Sequence, residues 1–88
     1  MPYIKQEDRP QFEDRIVPLF MHTPGELNYV LTLVIREYLE NRKLSYQTIN
    51  DIVGALEGAK LEFYRRVAVP YENQKIHENG DVYGTDPE

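Results

Sequence analysis

The stretch Ile49–Tyr71, INDIVGALEGAKLEFYRRVAVPY, decides the fold. Ile49, Ile52, Val53, Leu56, Phe63 and Val67 recur at the spacing that places side chains on one face of an α-helix. Ser45 precedes them as a suitable N-cap. At roughly 1.5 Å per residue the stretch spans about 34 Å. That is longer than a three-helix domain of this size needs, so part of it is expected to pack against another chain. Midway, Gly54, Ala55, Gly58 and Ala59 make a small-residue face. A glycine inside a soluble helix costs about 1 kcal/mol relative to alanine. Close approach of another helix would offset that cost. Two occupants fit: the preceding helix of the same chain, or the same face of a second copy in a symmetric oligomer. Downstream come Phe63, Tyr64, Arg65 and Arg66, and then Pro70, which lacks the N–H and is expected to stop the helix.

Working outward, the preceding segment carries the clearest start signal in the chain. Thr23-Pro24-Gly25-Glu26 supplies an N-cap, a proline at the first helical position and a reciprocal glutamate three residues on. Leu27, Leu31, Val34 and Tyr38 form one stripe. Val30, Leu33, Ile35 and Leu39 widen it to most of the circumference. Such a helix is central, or it touches both a core and another subunit. It is expected to end at Asn41-Arg42-Lys43, where cations suit the negative helix end. A first helix is expected from Asp8, with Gln11 as box partner and Pro10 in the first turn. Phe12, Ile16, Leu19 and Phe20 share its face, and Pro18 should kink or end it near Val17. Beyond Pro70, a short fourth helix over 71–78 would end at Asn79-Gly80.

No segment alternates as a half-buried strand does. The expected fold is therefore all-α: three main helices plus a short C-terminal one, over residues 1–80. A polar tail at 81–88 follows, flexible unless Val82 and Tyr83 dock. The expected core is Phe12, Ile16, Leu27, Leu31, Val34, Tyr38, Ile49, Val53, Leu56 and Phe63.

Composition narrows the function. The chain has 88 residues, 41% of them hydrophobic, and no cysteine, which suits one small domain in a reducing compartment. No apolar run approaches the roughly 20 residues that span a bilayer. The opening residues lack the apolar core of a signal peptide. A cytoplasmic protein without a membrane partner is expected. A net charge of −5 argues against general nucleic-acid binding, which relies on phosphate neutralisation. Seven tyrosines favour interfaces and ligand pockets, because the side chain joins apolar area to a polar tip.

Several segments together carry a resemblance: Met1–Ile4, Pro24–Tyr29, Leu44–Tyr46 with Ile49-Asn50, Leu56-Glu57, Ala59–Arg66, Pro70–Glu72 with Lys75-Ile76, and Asn79–Tyr83. In these the chain resembles a family of short uncharacterised proteins from bacteria, phages and environmental sequences. The resemblance covers nearly the whole chain. It implies no activity, only a phage-borne accessory role.

Chemistry-bearing motifs are sparse. His22 and His77 lie far apart, with no HExxH or CxxC pattern, so no metal site is expected. No cofactor is expected either. No GxSxG and no glycine-rich phosphate loop after a strand is present. Glu37 and Glu40 make one acidic pair, with Glu57 and Glu62 on the next helix. All-α nucleotide pyrophosphohydrolases hold Mg²⁺ with such pairs. Glu57 and Glu62, however, stand five apart, about 140° around the helix, and cannot both face the first pair. Solvated i,i+3 and i,i+4 pairing, as of Glu62 with Arg65 and Arg66, is the plainer reading.

The remaining constellation is Lys60, Tyr64, Arg65, Arg66 and Tyr71. Arginine forks bind phosphate and tyrosine stacks on bases, so these five residues are the candidate site for a nucleotide or cyclic nucleotide. The plain alternative is helix-terminal charge paired with Glu62 and Glu72. The leading expectation is a non-catalytic homo-oligomeric binding protein. An assembly factor docking a larger partner stands second, and a pyrophosphohydrolase-like enzyme using Glu37, Glu40 and Glu57 third.

Overall fold

The computed structural model describes residues 4–16 and 20–84, and they are all-α, with no strand among them. A 3-10 turn at Gln6–Asp8 leads into α1 (Pro10–Ile16). Then come α2 (Pro24–Arg42), α3 (Tyr46–Phe63), a π-helical turn (Tyr64–Ala68) and α4 (Val69–Asn79). Contacts divide the chain into two units, Met1–Thr48 and Ile49–Glu88.

In the first unit, local chemistry sets each boundary. Asp8 does not cap α1. It closes the 3-10 turn, its N–H donating to the Lys5 carbonyl at 2.9 Å. The Arg9 carbonyl accepts from Phe12 and Glu13, which puts Pro10 at the first helical position, where a missing N–H costs nothing. Gln11 reaches back to the Asp8 carbonyl with its side-chain amide, at 3.3 Å. The expected kink near Val17 and the place of Leu19 lie outside the described residues.

The start of α2 follows its sequence signal. Thr23 Oγ1 accepts from the Glu26 N–H at 3.1 Å, and Glu26 Oε1 accepts from the N–H groups of Thr23 and His22 at 3.1 and 2.8 Å. That capping box satisfies donors a bare helix end would leave open. The helix closes at Lys43, whose N–H donates to the Leu39 carbonyl at 2.8 Å with φ at 69°. Ser45 then caps α3, its Oγ accepting from the Thr48 N–H at 3.1 Å. The two hydroxyls also lie 3.1 Å apart, and Thr48 is the one buried residue described, at 3% exposure.

In the second unit, Pro70 does not end the helix. The backbone stays helical from Tyr46 to Asn79, roughly 50 Å at 1.5 Å per residue. The expected stop is replaced by a π turn, in which the Val69 N–H donates to the Tyr64 carbonyl five residues back. A proline ring in α register crowds the carbonyl four residues before it. The wider π ring relieves that crowding, and Pro70 sits in the first turn of α4. α4 closes at Gly80, which donates to the Ile76 carbonyl at 2.8 Å. Beyond it, residues 81–84 form a hydrogen-bonded turn: Asp81 Oδ1 accepts from the Tyr83 N–H at 2.9 Å, and the Asp81 carbonyl accepts from the Gly84 N–H at 3.3 Å.

The expected core is corrected by the structure. Phe12, Leu27, Leu31, Val34, Tyr38, Ile49, Val53, Leu56 and Phe63 are all exposed, and no hydrophobic residue is buried among those described. The Ile16 side chain lies outside the described set. The periodicity that nominated these residues is present. It identifies a face suited to burial and does not by itself say what covers it.

Candidate functional site

The five candidate ligand residues all stand on the continuous helix of the second unit. Lys60 lies near the end of α3, Tyr64, Arg65 and Arg66 form the first three positions of the π turn, and Tyr71 is in the first turn of α4. Each charge has an acidic neighbour on the same helix. Lys60 Nζ is 3.5 Å from Glu57 Oε1. Arg65 Nη2 donates to Glu62 Oε2 at 3.0 Å, and Arg66 Nη1 lies 3.6 Å from Glu62 Oε1. One carboxylate thus holds two guanidinium groups at the entrance to the π turn. The i,i+3 and i,i+4 spacing read from the sequence accounts for both contacts.

Tyr64 and Tyr71 are both exposed. Tyr71 has the Lys75 ammonium 5.5 Å from its ring centroid, within cation–π range. Glu72, the other expected acidic partner, makes no ion pair with Arg65, Arg66 or Lys60 among the described residues. Its neighbour Lys75 pairs instead with Glu78 at 3.7 Å. The constellation therefore has two parts: an arginine pair bridged by Glu62, and a tyrosine–lysine contact one turn beyond Pro70. Ion pairs this exposed contribute about 0–1 kcal/mol each, so the arginines can exchange Glu62 for another anion at small cost.

The small-residue face is open. No atom outside the helix's own backbone stands within 4 Å of where a Cβ would sit on Gly54 or Gly58.

Among the described residues, no three His, Cys, Asp or Glu side chains gather as a metal ion would require. His22 is instead engaged locally, its ring stacked on Phe20 with centroids 6.0 Å apart. No described helix is long and apolar enough to cross a membrane.

One site was not anticipated from the sequence. A groove of about 350 Å³ runs between α4 and the C-terminal turn. Glu72, Lys75, Ile76 and Asn79 line one wall, and Val82 and Tyr83 the other. Asn79-Gly80 signalled the cap. It did not signal that the chain would turn back beside its own helix.

Geometry and chemistry together define an all-α protein whose distinctive features are uncovered apolar helix faces and a π turn carrying two arginines. The chain belongs to the family described as Domain of unknown function (DUF6899), whose model matches residues 1–82. No curated protein and no solved structure matches it.

Proposed function

We propose that this protein is a non-catalytic binding protein that works as a homo-oligomer in the cytoplasm. The observation that carries the reading is the exposure of the apolar faces. Leu27, Leu31, Val34 and Tyr38 on α2 are uncovered, as are Ile49, Val53, Leu56 and Phe63 on α3. Full burial of such a side chain contributes about 1.5–3 kcal/mol. A chain of 88 residues has little else to draw on, with no disulfide to assist it. Association that covers these faces supplies the missing burial and links stability to protein concentration.

The ligand assigned to this oligomer is a nucleotide or cyclic nucleotide. Arg65 and Arg66 would grip its phosphate, Tyr64 and Tyr71 would stack on the base, and Lys60 would add charge. The paired guanidinium groups support this, because a phosphate offers more acceptor oxygens than the Glu62 carboxylate they share. A phage-borne accessory that sequesters such a ligand is the biological role this chemistry would serve, by analogy of size alone.

Native mass spectrometry of protein purified under gentle conditions tests both parts. An oligomer carrying the mass of a nucleotide is the expected result. A bare monomer would overturn the proposal. An oligomer that gives no heat with any nucleotide in titration would remove the ligand and leave the assembly.

A second reading draws on the same apolar faces: they dock a larger partner protein, and the arginines stay with Glu62. A pull-down returning one stoichiometric partner distinguishes it.

A further inference from the structure

Glu62 marks one side of its helix by its contacts, holding Arg65 at 3.0 Å and Arg66 at 3.6 Å. Lys60 stands two residues before it and Tyr64 two residues after it. On a helix, residues two apart do not face each other, and residues four apart do. Lys60 and Tyr64 therefore share the opposite side, where Leu56 joins them four residues before Lys60. The partner of Lys60, Glu57 at 3.5 Å, belongs to that side as well. Exposed Leu56 and Tyr64 make it bulky. The arginine side is smooth instead. Gly58 stands four residues before Glu62, and Gly54 four before that. Among the described residues, nothing beyond the helix's own backbone and the flanking residues lies within 4 Å of a Cβ built on either glycine. A helix is a convex cylinder about 10 Å across, whereas small ligands bind in clefts. One copy thus cannot turn its arginine pair and its Tyr64 toward the same nucleotide.

We propose that the nucleotide site is shared between copies: Arg65 and Arg66 of one copy grip the phosphate, and Tyr64 and Lys60 of the next copy close over the ligand from the other side. The inference deepens the nucleotide-binding reading above and rests on it. Charge agrees with an anion in such a crevice. Glu57 and Lys60 cancel on one wall, and on the other two guanidinium groups face the single carboxylate of Glu62, which leaves that wall positive. Tyrosine stacks on a base whatever its identity, and paired guanidinium groups suit a phosphate. Each copy presents opposite sides of one helix to two different neighbours. The contact is therefore heterologous, and it closes as a ring larger than a two-fold dimer.

Two variants of the full chain separate the walls: Tyr64→Ser, and Arg65→Ala combined with Arg66→Ala. All three side chains are exposed, so both variants keep the helix. ATP and cyclic AMP are the probes, read by titration calorimetry. Each variant alone should bind at least ~30-fold more weakly than wild type. The two variants are then unfolded together in equal amounts and refolded as mixed assemblies. About one wild-type site in four should return, because random neighbours bring an intact tyrosine to intact arginines at that frequency. A site built within one copy returns none, since every chain carries one defect. Mixed assemblies with no recovered site would overturn the shared site and leave the nucleotide reading standing. Unchanged binding by Tyr64→Ser, or wild-type protein that holds a probe as a monomer or dimer in native mass spectrometry, would do the same. Wild-type protein that binds neither probe would overturn both.

Discussion

Lys43 and Gly80 end their helices in nearly one backbone conformation: φ 69° and ψ 154° at Lys43, φ 89° and ψ 154° at Gly80. Each donates its N–H to the carbonyl four residues back at 2.8 Å. The same closure is therefore made twice, once with the residue suited to it and once without. Among the described residues Lys43 is the one non-glycine with positive φ. This region of backbone space is nearly glycine-only, and a side chain there costs on the order of 1–3 kcal/mol. Lys43→Gly is expected to stabilise the protein by about 1 kcal/mol, and Gly80→Ala to destabilise it by a similar amount or more. Thermal or urea unfolding of both variants measures this. Opposite signs are expected, and equal signs would contradict the shared closure.

The glycines of α3 give a second test. Among the described residues, nothing beyond the helix's own backbone and the flanking residues stands within 4 Å of a Cβ built on Gly54 or Gly58. With the face open, each change to alanine should stabilise the helix by about 1 kcal/mol through propensity alone. Where the face is the subunit interface, the same change should weaken assembly instead, because the added methyl keeps backbones apart. Circular dichroism melts recorded alongside sedimentation separate the cases. A gain in melting temperature with unchanged subunit number would remove the interface role from Gly54, Ala55, Gly58 and Ala59.

The helix starts are held by side-chain caps. Thr23→Ala removes the acceptor for the Glu26 N–H, and Ser45→Ala removes the acceptor for the Thr48 N–H. Each is expected to cost about 1 kcal/mol. Ser45→Ala should be the costlier, because it also deprives the buried Thr48 hydroxyl of its neighbour at 3.1 Å. Chemical denaturation of the two variants ranks them.

Glu62 competes with any anion for Arg65 and Arg66, at 3.0 and 3.6 Å. Glu62→Gln removes that competition. Affinity for a phosphate-bearing ligand should rise by up to about 5-fold, the equivalent of the ~1 kcal/mol at most that an exposed pair contributes. Stability should change little, because exposed pairs contribute about 0–1 kcal/mol. Titration calorimetry with nucleoside triphosphates reads the affinity. Unchanged or absent binding would detach the arginines from the ligand role.

Much of this chain was legible residue by residue. The Thr23–Glu26 box, the Ser45 cap and the Asn79-Gly80 end are local: a few neighbouring atoms decide them, and the structure places all three where the sequence reads them. The ion pairs of Glu62 were legible for the same reason, since i,i+3 and i,i+4 spacing brings those groups together in any helix. Pro70 was misread because a missing N–H and a steric clash argue for a break, and a register change to π satisfies the same constraint without one. The first helix was misplaced by two residues, because Asp8 and Pro10 suit a 3-10 turn followed by a helix as well as a single helix.

The all-α class, the start of α2 at Thr23, the start of α3 at Ser45 and the end of α4 at Gly80 were thus determined by the sequence alone, through short-range hydrogen bonds and the period of the apolar residues. Which surfaces are covered was a tertiary question. Periodicity marks a face fit for burial, and only coordinates reveal that Leu31, Val53 and their neighbours stand exposed. The groove beside α4 was likewise decided in three dimensions. It depends on the angle at which Gly80 turns the chain back, and one dihedral angle there moves Val82 and Tyr83 by several ångströms while leaving every local signal unchanged.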